Sequence, residues 1–83
     1  MWFNYTPTSG TVIFYKDKSG IDRTYSVNFI DPQKLVVVVA QLIHDNEVSE
    51  VTCMGLAYDL TSAIRQELLR TYNNESVKFI KGE

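Results

Sequence analysis

The chain has 83 residues, of which 45% are hydrophobic and 22% charged, with a net charge of −2. That length makes a single domain, residues 1–83, and the balance excludes intrinsic disorder. No surplus of Lys and Arg is available to displace counterions, so nucleic acid is a disfavoured partner; the charge is also too small for a DNA mimic.

Residues 2–6, 11–17 and 21–30 are predicted to form three antiparallel strands, because β-branched and aromatic residues alternate there between turn signals. Asp17-Lys18-Ser19-Gly20 has Asp first and Gly fourth, the chemistry of a type I turn with a bulged Gly. With Gly20 as the bulge, Asp17 pairs with Ile21, and the ladder sets Tyr15 against Arg23, Ile13 against Tyr25 and Thr11 against Val27. One face then collects Ile13, Tyr15, Ile21, Tyr25, Val27 and Phe29. The other holds Val12, Phe14 and Lys16 opposite Ser26, Thr24 and Asp22.

A second turn, Pro7-Thr8-Ser9-Gly10, is expected to set Tyr5 against Val12 and Phe3 against Phe14. Phe3, Tyr5, Val12 and Phe14 would then gather on the face away from the main apolar one, with Trp2 near the edge. A soluble protein needs a reason to keep such a patch. The competing reading is a one-residue slip, which would send all four into the core.

Asp31-Pro32 changes the period. Asp is a favoured N-cap, and Pro is tolerated in the first helical turn, where its missing N–H has no partner anyway. Leu35, Val38, Val39, Leu42 and Ile43 follow at helical spacing, with Lys34, Gln41, His44 and Asp45 opposite. The run Val36 to Val39 prefers strand, so a buried strand over 35–43 turning at Asp45-Asn46 is the alternative. Residues 48–57 read as a strand containing Val51, Cys53, Gly55 and Ala57; Gly55 marks a close backbone approach or a bulge, most simply a helix lying tightly across the sheet. Asp59 is expected to cap a second helix whose Leu60, Ala63, Ile64, Leu68 and Tyr72 face inward, and Asn73-Asn74 to end it. Residues 75–81 close the chain as a strand with Val77 and Phe79 on one face. The predicted fold is α+β, a small two-layer βββαβαβ sandwich with a mixed, mostly antiparallel sheet and both helices on one face. Right-handed crossovers are expected from strand three to four and from four to five.

Candidate chemistry is weak. His44, Asp45, Glu47 and Glu50 fall within seven residues, but their spacing matches no ligand pattern, and a solvated helix end accounts for them. Cys53 sits mid-strand among apolar residues, where cysteine behaves as a small hydrophobe rather than a nucleophile partnered by His44. Thr8-Ser9-Gly10-Thr11 lacks the lysine and second glycine of a phosphate loop. Arg65, Arg70, Lys78 and Lys81 form a mild basic stripe broken by Glu67 at helical distance from Arg70. No catalytic, cofactor or metal residue is assigned.

Cys53 is the only cysteine, so no internal disulfide can form and nothing points to an oxidising compartment. The opening Met-Trp-Phe-Asn-Tyr-Thr lacks the basic-then-apolar pattern of a signal peptide. The longest apolar run, Leu35 to Ala40, is far short of a membrane span. Asn4-Tyr5-Thr6 and Asn74-Glu75-Ser76 match the glycosylation pattern, which without a secretion signal is chance. A cytoplasmic location with no membrane partner is expected.

The function expected from these residues is a non-enzymatic protein–protein interaction module that uses a sheet face or edge. It would be an inhibitor, adaptor or antitoxin-like regulator, those of phages and plasmids included. Its partner would be another protein or its own copy, docking on Trp2, Phe3, Tyr5, Val12 and Phe14. A short chain buries only roughly 60–65% of its unfolded surface, so a homodimer would add stability. The second hypothesis is single-stranded nucleic acid, with bases stacked on the aromatics and Lys16, Lys18 and Arg23 on phosphates. Asp17 and Asp22 cut the potential of those cations, which ranks it below the first.

Overall fold

A computed structural model describes residues 1–28 and 30–82. The elements follow in the predicted order: β1 (Trp2–Thr6), β2 (Gly10–Lys16), β3 (Asp22–Val27), α1 (Pro32–Asp45), β4 (Glu50–Gly55), α2 (Thr61–Tyr72) and β5 (Lys78–Lys81). A 3-10 turn, Ala57–Leu60, leads into α2. The strands form one mixed sheet in the order β3-β2-β1-β4-β5. Its pairings divide evenly, β1–β2 and β2–β3 antiparallel, β1–β4 and β4–β5 parallel, so it is less antiparallel than the sequence implied.

The second hairpin has the predicted register. Gly20 stands at φ +85°, its N–H donating to the Asp17 carbonyl at 2.9 Å, and the Asp17 N–H donates to the Ile21 carbonyl at 2.9 Å. The ladder runs on through Lys16–Asp22, Tyr15–Arg23, Phe14–Thr24, Ile13–Tyr25, Val12–Ser26 and Thr11–Val27. Tyr15 and Tyr25 pack against the core. Ile21 is an exception to its predicted face, 53% exposed beside the turn. Strand three ends at Val27, and Phe29, assigned to the same face, lies outside the described residues.

The first hairpin differs from its prediction by one residue. Trp2 pairs with Phe14, Phe3 with Ile13, Asn4 with Val12 and Tyr5 with Thr11. The physical reason is Pro7. Its ring fixes φ near the value required at the second turn position, and it has no N–H with which to close a two-residue hairpin against Gly10. The turn therefore begins at Thr6, whose carbonyl accepts from Ser9 N–H at 3.3 Å. Gly10 follows at φ +100°, pressed so closely on β3 that a Cβ would stand 2.5 Å from the Val27 carbonyl oxygen. The slip is decisive, because strand side chains alternate with period two. Phe3, expected on the open face, is fully buried, and Tyr5 is half-buried against the core.

Residues 35–43 are helical. Asp31 caps α1, its carboxylate accepting from Gln33 N–H at 2.8 Å with Pro32 in the first turn. The buried stripe is Leu35, Val36, Val39, Ala40 and Ile43, slightly rotated from the predicted one, and burial of that stripe outweighs the strand preference of the valines. Asp59 does not cap α2; it belongs to the 3-10 turn, and α2 starts at Thr61 with no side-chain cap. Ile64 and Leu68 of α2 are buried and Leu60 and Tyr72 pack against the core, whereas Ala63 is exposed. Asn73 ends the helix at φ +52°, and the N–H groups of Asn73 and Asn74 return to the carbonyls of Leu69 and Leu68. Strand four stops at Gly55, ahead of Ala57. Gly55 lies at φ +60°, where a Cβ would stand 2.9 Å from both Asn4 Oδ1 and the Tyr5 carbonyl oxygen. The close approach it permits is therefore to β1, not to a helix.

Phe3, Ile13, Val51, Cys53 and Phe79 form the sheet's side of the core, and the buried stripes of both helices form the other. Both helices thus cover one face of the sheet.

Candidate functional site

The face turned away from the helices is a ladder of three rows. One row crosses the sheet as Thr24, Phe14, Trp2, Thr52 and Ile80, one residue from each strand. The next runs Ser26, Val12, Asn4 and Met54. At the other end stand Asp22 and Lys16, then Glu50 and Lys78. Strands about 4.8 Å apart make this face about 19 Å wide.

Its centre is aromatic. Trp2 and Phe14 pair across β1 and β2 with centroids 5.2 Å apart and planes at 45°, a tilted geometry favoured by ring quadrupoles. Phe14 is nonetheless 48% exposed. Met54 extends across Gly82, its Sδ occupying the space a Cβ there would need, and with Val12 and Ile80 gives the face apolar flanks. A depression of about 510 Å³ opens beside Trp2 and Phe14 toward the charged row, bordered by Tyr15, Lys16, Asp22, Arg23 and Thr24.

The charges around the hairpin tip are internally matched. Lys16 meets Asp22 at 3.6 Å and Arg23 meets Asp17 at 3.0 Å. The Ile21 N–H donates to the Asp17 carboxylate, as do Arg23 and the Ser19 N–H, and together they hold its pKa below the ordinary aspartate value. Two of the three cations offered for phosphate contact are therefore already engaged by carboxylates.

Of the five residues predicted to bind a partner, Trp2, Val12 and Phe14 lie on the open face, while Phe3 and Tyr5 point to the helices. Met54, Thr52 and Ile80 join the face and were missed. Alternation against Val51 and Cys53 puts Thr52 and Met54 on the outer side, but their value depends on β4 lying beside β1, and no local signal gives that strand order.

The other candidates disperse. Burial pushes the Cys53 thiol up, against a smaller opposing effect of Arg65, leaving it protonated and unreactive at neutral pH. His44 stacks on Tyr72, centroids 4.0 Å apart, and Glu50 opens β4 opposite Lys78. Among the described residues no group of three His, Cys, Asp or Glu could hold a metal. An open cleft of about 1220 Å³ between the ends of α1 and α2 includes His44, Asp45, Glu47, Tyr72 and Glu75. Arg65 lies 4.7 Å over the Phe79 ring. Arg70 pairs with Glu67, whose carboxylate also accepts from the Thr71 hydroxyl at 2.7 Å. Among the described residues no helix is long and apolar enough to cross a membrane.

No family model matches the chain, no curated protein matches it, and no solved structure does.

Proposed function

We propose that the chain is a small non-enzymatic protein–protein interaction module that docks its partner on the open sheet face, as an inhibitor, adaptor or regulator would. One observation carries this reading. The Trp2–Phe14 pair stands at the middle of a face flanked by Val12, Met54 and Ile80, with both helices on the opposite side. Aromatic anchors ringed by aliphatic and small polar residues are the usual centre of a protein interface, where they bury much area at little entropic cost. Asp22 beside Lys16 and Asp17 beside Arg23 cancel the positive potential at the hairpin tip, which supports a protein over a nucleic-acid ligand, since a bound strand needs a net positive groove for its phosphates. The buried Cys53 and the stacked His44 support a binding role over catalysis.

The test is site-specific photo-cross-linking in the native cell. A photoreactive residue replaces Phe14 in one variant and Leu69, an exposed residue of α2, in another. Discrete protein adducts through position 14 and not through 69 are expected. Equal yields at the two positions, or a nucleic-acid adduct at position 14, would overturn the reading.

A further inference from the structure

We infer that the occupant of this face is a second copy of the chain, seated by a twofold axis running along β1. The inference rests on the reading of the face as a protein-docking surface and names its partner.

The argument is one of charge order. β1 is the third of five strands, so rotation about its direction lays β2 over the partner's β4 and β3 over the partner's β5. The charged row reads Asp22 on β3, Lys16 on β2, Glu50 on β4 and Lys78 on β5. Rotation reverses that order and turns minus-plus-minus-plus into its complement. Asp22 then meets the partner's Lys78, and Lys16 meets the partner's Glu50, each contact occurring twice, as an isologous interface requires. In the same rotation Trp2 crosses its own copy, Phe14 lies over the partner's Thr52, and Val12 over the partner's Met54.

The other in-plane twofold, across the strands, would lay this row over Ser26, Val12, Asn4 and Met54. Four charges would then face neutral and apolar ground, which is unfavourable without partners. Charge complementarity therefore selects the axis along β1. Two sheets packed face to face with strands nearly aligned is also an ordinary way for sheets to meet. The Met1 ammonium, which donates to the Glu50 carbonyl at 3.0 Å, would approach its own copy at the same exposed rim; screening weakens that repulsion and the ion pairs alike, and the two Asp22–Lys78 and two Lys16–Glu50 contacts outweigh it. A face about 19 Å wide and about 14 Å deep lies below the standard interface size, where weak and transient complexes fall, so dissociation no tighter than on the order of micromolar is expected.

The experiment is a charge swap on the full chain, Lys16→Glu in one variant and Glu50→Lys in another. Both side chains are on the exposed outer row, and circular dichroism checks that each variant is folded. Sedimentation and native mass spectrometry measure association of wild type, each variant alone, and the two mixed. Each variant alone juxtaposes two like-charge pairs and should dimerise roughly tenfold or more weakly than wild type. The mixture should recover a heterodimer of near wild-type affinity. Lys16→Glu loses the intrachain Lys16–Asp22 pair in the mixture as much as alone, so recovery reads only the pairing between copies.

Variants that dimerise as wild type does, or a mixture no tighter than its components, would overturn the twofold. A wild-type chain that stays monomeric at several hundred micromolar, on the order of a hundred times a micromolar dissociation constant, would remove the second copy as occupant. If position 14 then still cross-links another protein, the docking face stands without its self-partner. If it cross-links nothing, both readings fail together.

Discussion

Trp2 and Phe3 are neighbours on one strand, and their surroundings could hardly differ more. Phe3 is fully buried among the side chains that join the sheet to both helices. Trp2, one residue earlier, tilts against a half-exposed Phe14 on the side no helix covers. The same contrast recurs on β4, where Cys53 is buried and Met54 extends along the open surface. In a two-layer domain, strand parity alone divides residues that hold the fold from residues free to do something else. The apolar character of the second group is what requires a functional explanation.

The largest effect that would sharpen this contrast is on stability. Phe3→Ala should cost about 3–5 kcal/mol, through lost burial and the cavity left behind. Phe14→Ala should cost about 1 kcal/mol in the monomer, mainly through the lost ring pair with Trp2. Urea unfolding at concentrations below association measures both, and equal losses would break the distinction between the faces.

Next comes the glycine that holds the first register. Gly10→Ala forces a left-handed backbone on alanine and drives its Cβ into the Val27 carbonyl, so a loss of about 2–3 kcal/mol is expected. Gly20→Ala meets nothing within 4 Å and should cost only about 1–2 kcal/mol for its backbone conformation. Thermal unfolding ranks the two, and a reversed order would contradict the tight approach of Gly10 to β3.

Chemical modification gives a subtler contrast. Cys53 should resist alkylation in the native protein and react only on unfolding, since it is buried and its thiol pKa is raised. Met54 should be oxidised by dilute peroxide while the fold persists. Mass spectrometry of the two sites checks the order, and a native Cys53 that reacts first would mean β4 is turned over.

The smallest effect is acid dependence. Hydrogen bonds from the Ile21 N–H and Arg23 lower the Asp17 pKa, and the Thr71 hydroxyl and Arg70 lower that of Glu67. Groups with depressed folded values contribute stability above their unfolded pKa, near 4, and lose it as pH falls through the folded one. Stability should therefore decline modestly from about pH 5 towards pH 3, and Asp17→Asn should flatten part of that slope. An unchanged slope in Asp17→Asn would show that the second hairpin does not depend on its turn carboxylate.

The element order and the second hairpin were legible because their signals are local. Asp17 and Gly20 specify one turn, Asp31-Pro32 starts one helix, and Asn73 ends another. The first hairpin was misread because Pro7 was placed at the first turn position instead of the second, the position its fixed φ favours, and a single residue of error moved Phe3 and Tyr5 to the wrong face. The 3-10 entry to α2 escaped because Asp59 resembles an N-cap in sequence while the chain reaches α2 through a tighter turn. The full extent of the open face was not legible. Met54 and Ile80 reach it only because β4 and β5 are added parallel beside β1, which follows from packing across the whole domain.

The most direct test of the docking face is Phe14→Asp, measured for both association and stability. The account predicts a folded protein whose monomer unfolds within about 1 kcal/mol of wild type, with self-association lost in sedimentation at concentrations where wild type pairs. A variant that fails to fold, or one that associates as wild type does, would contradict it.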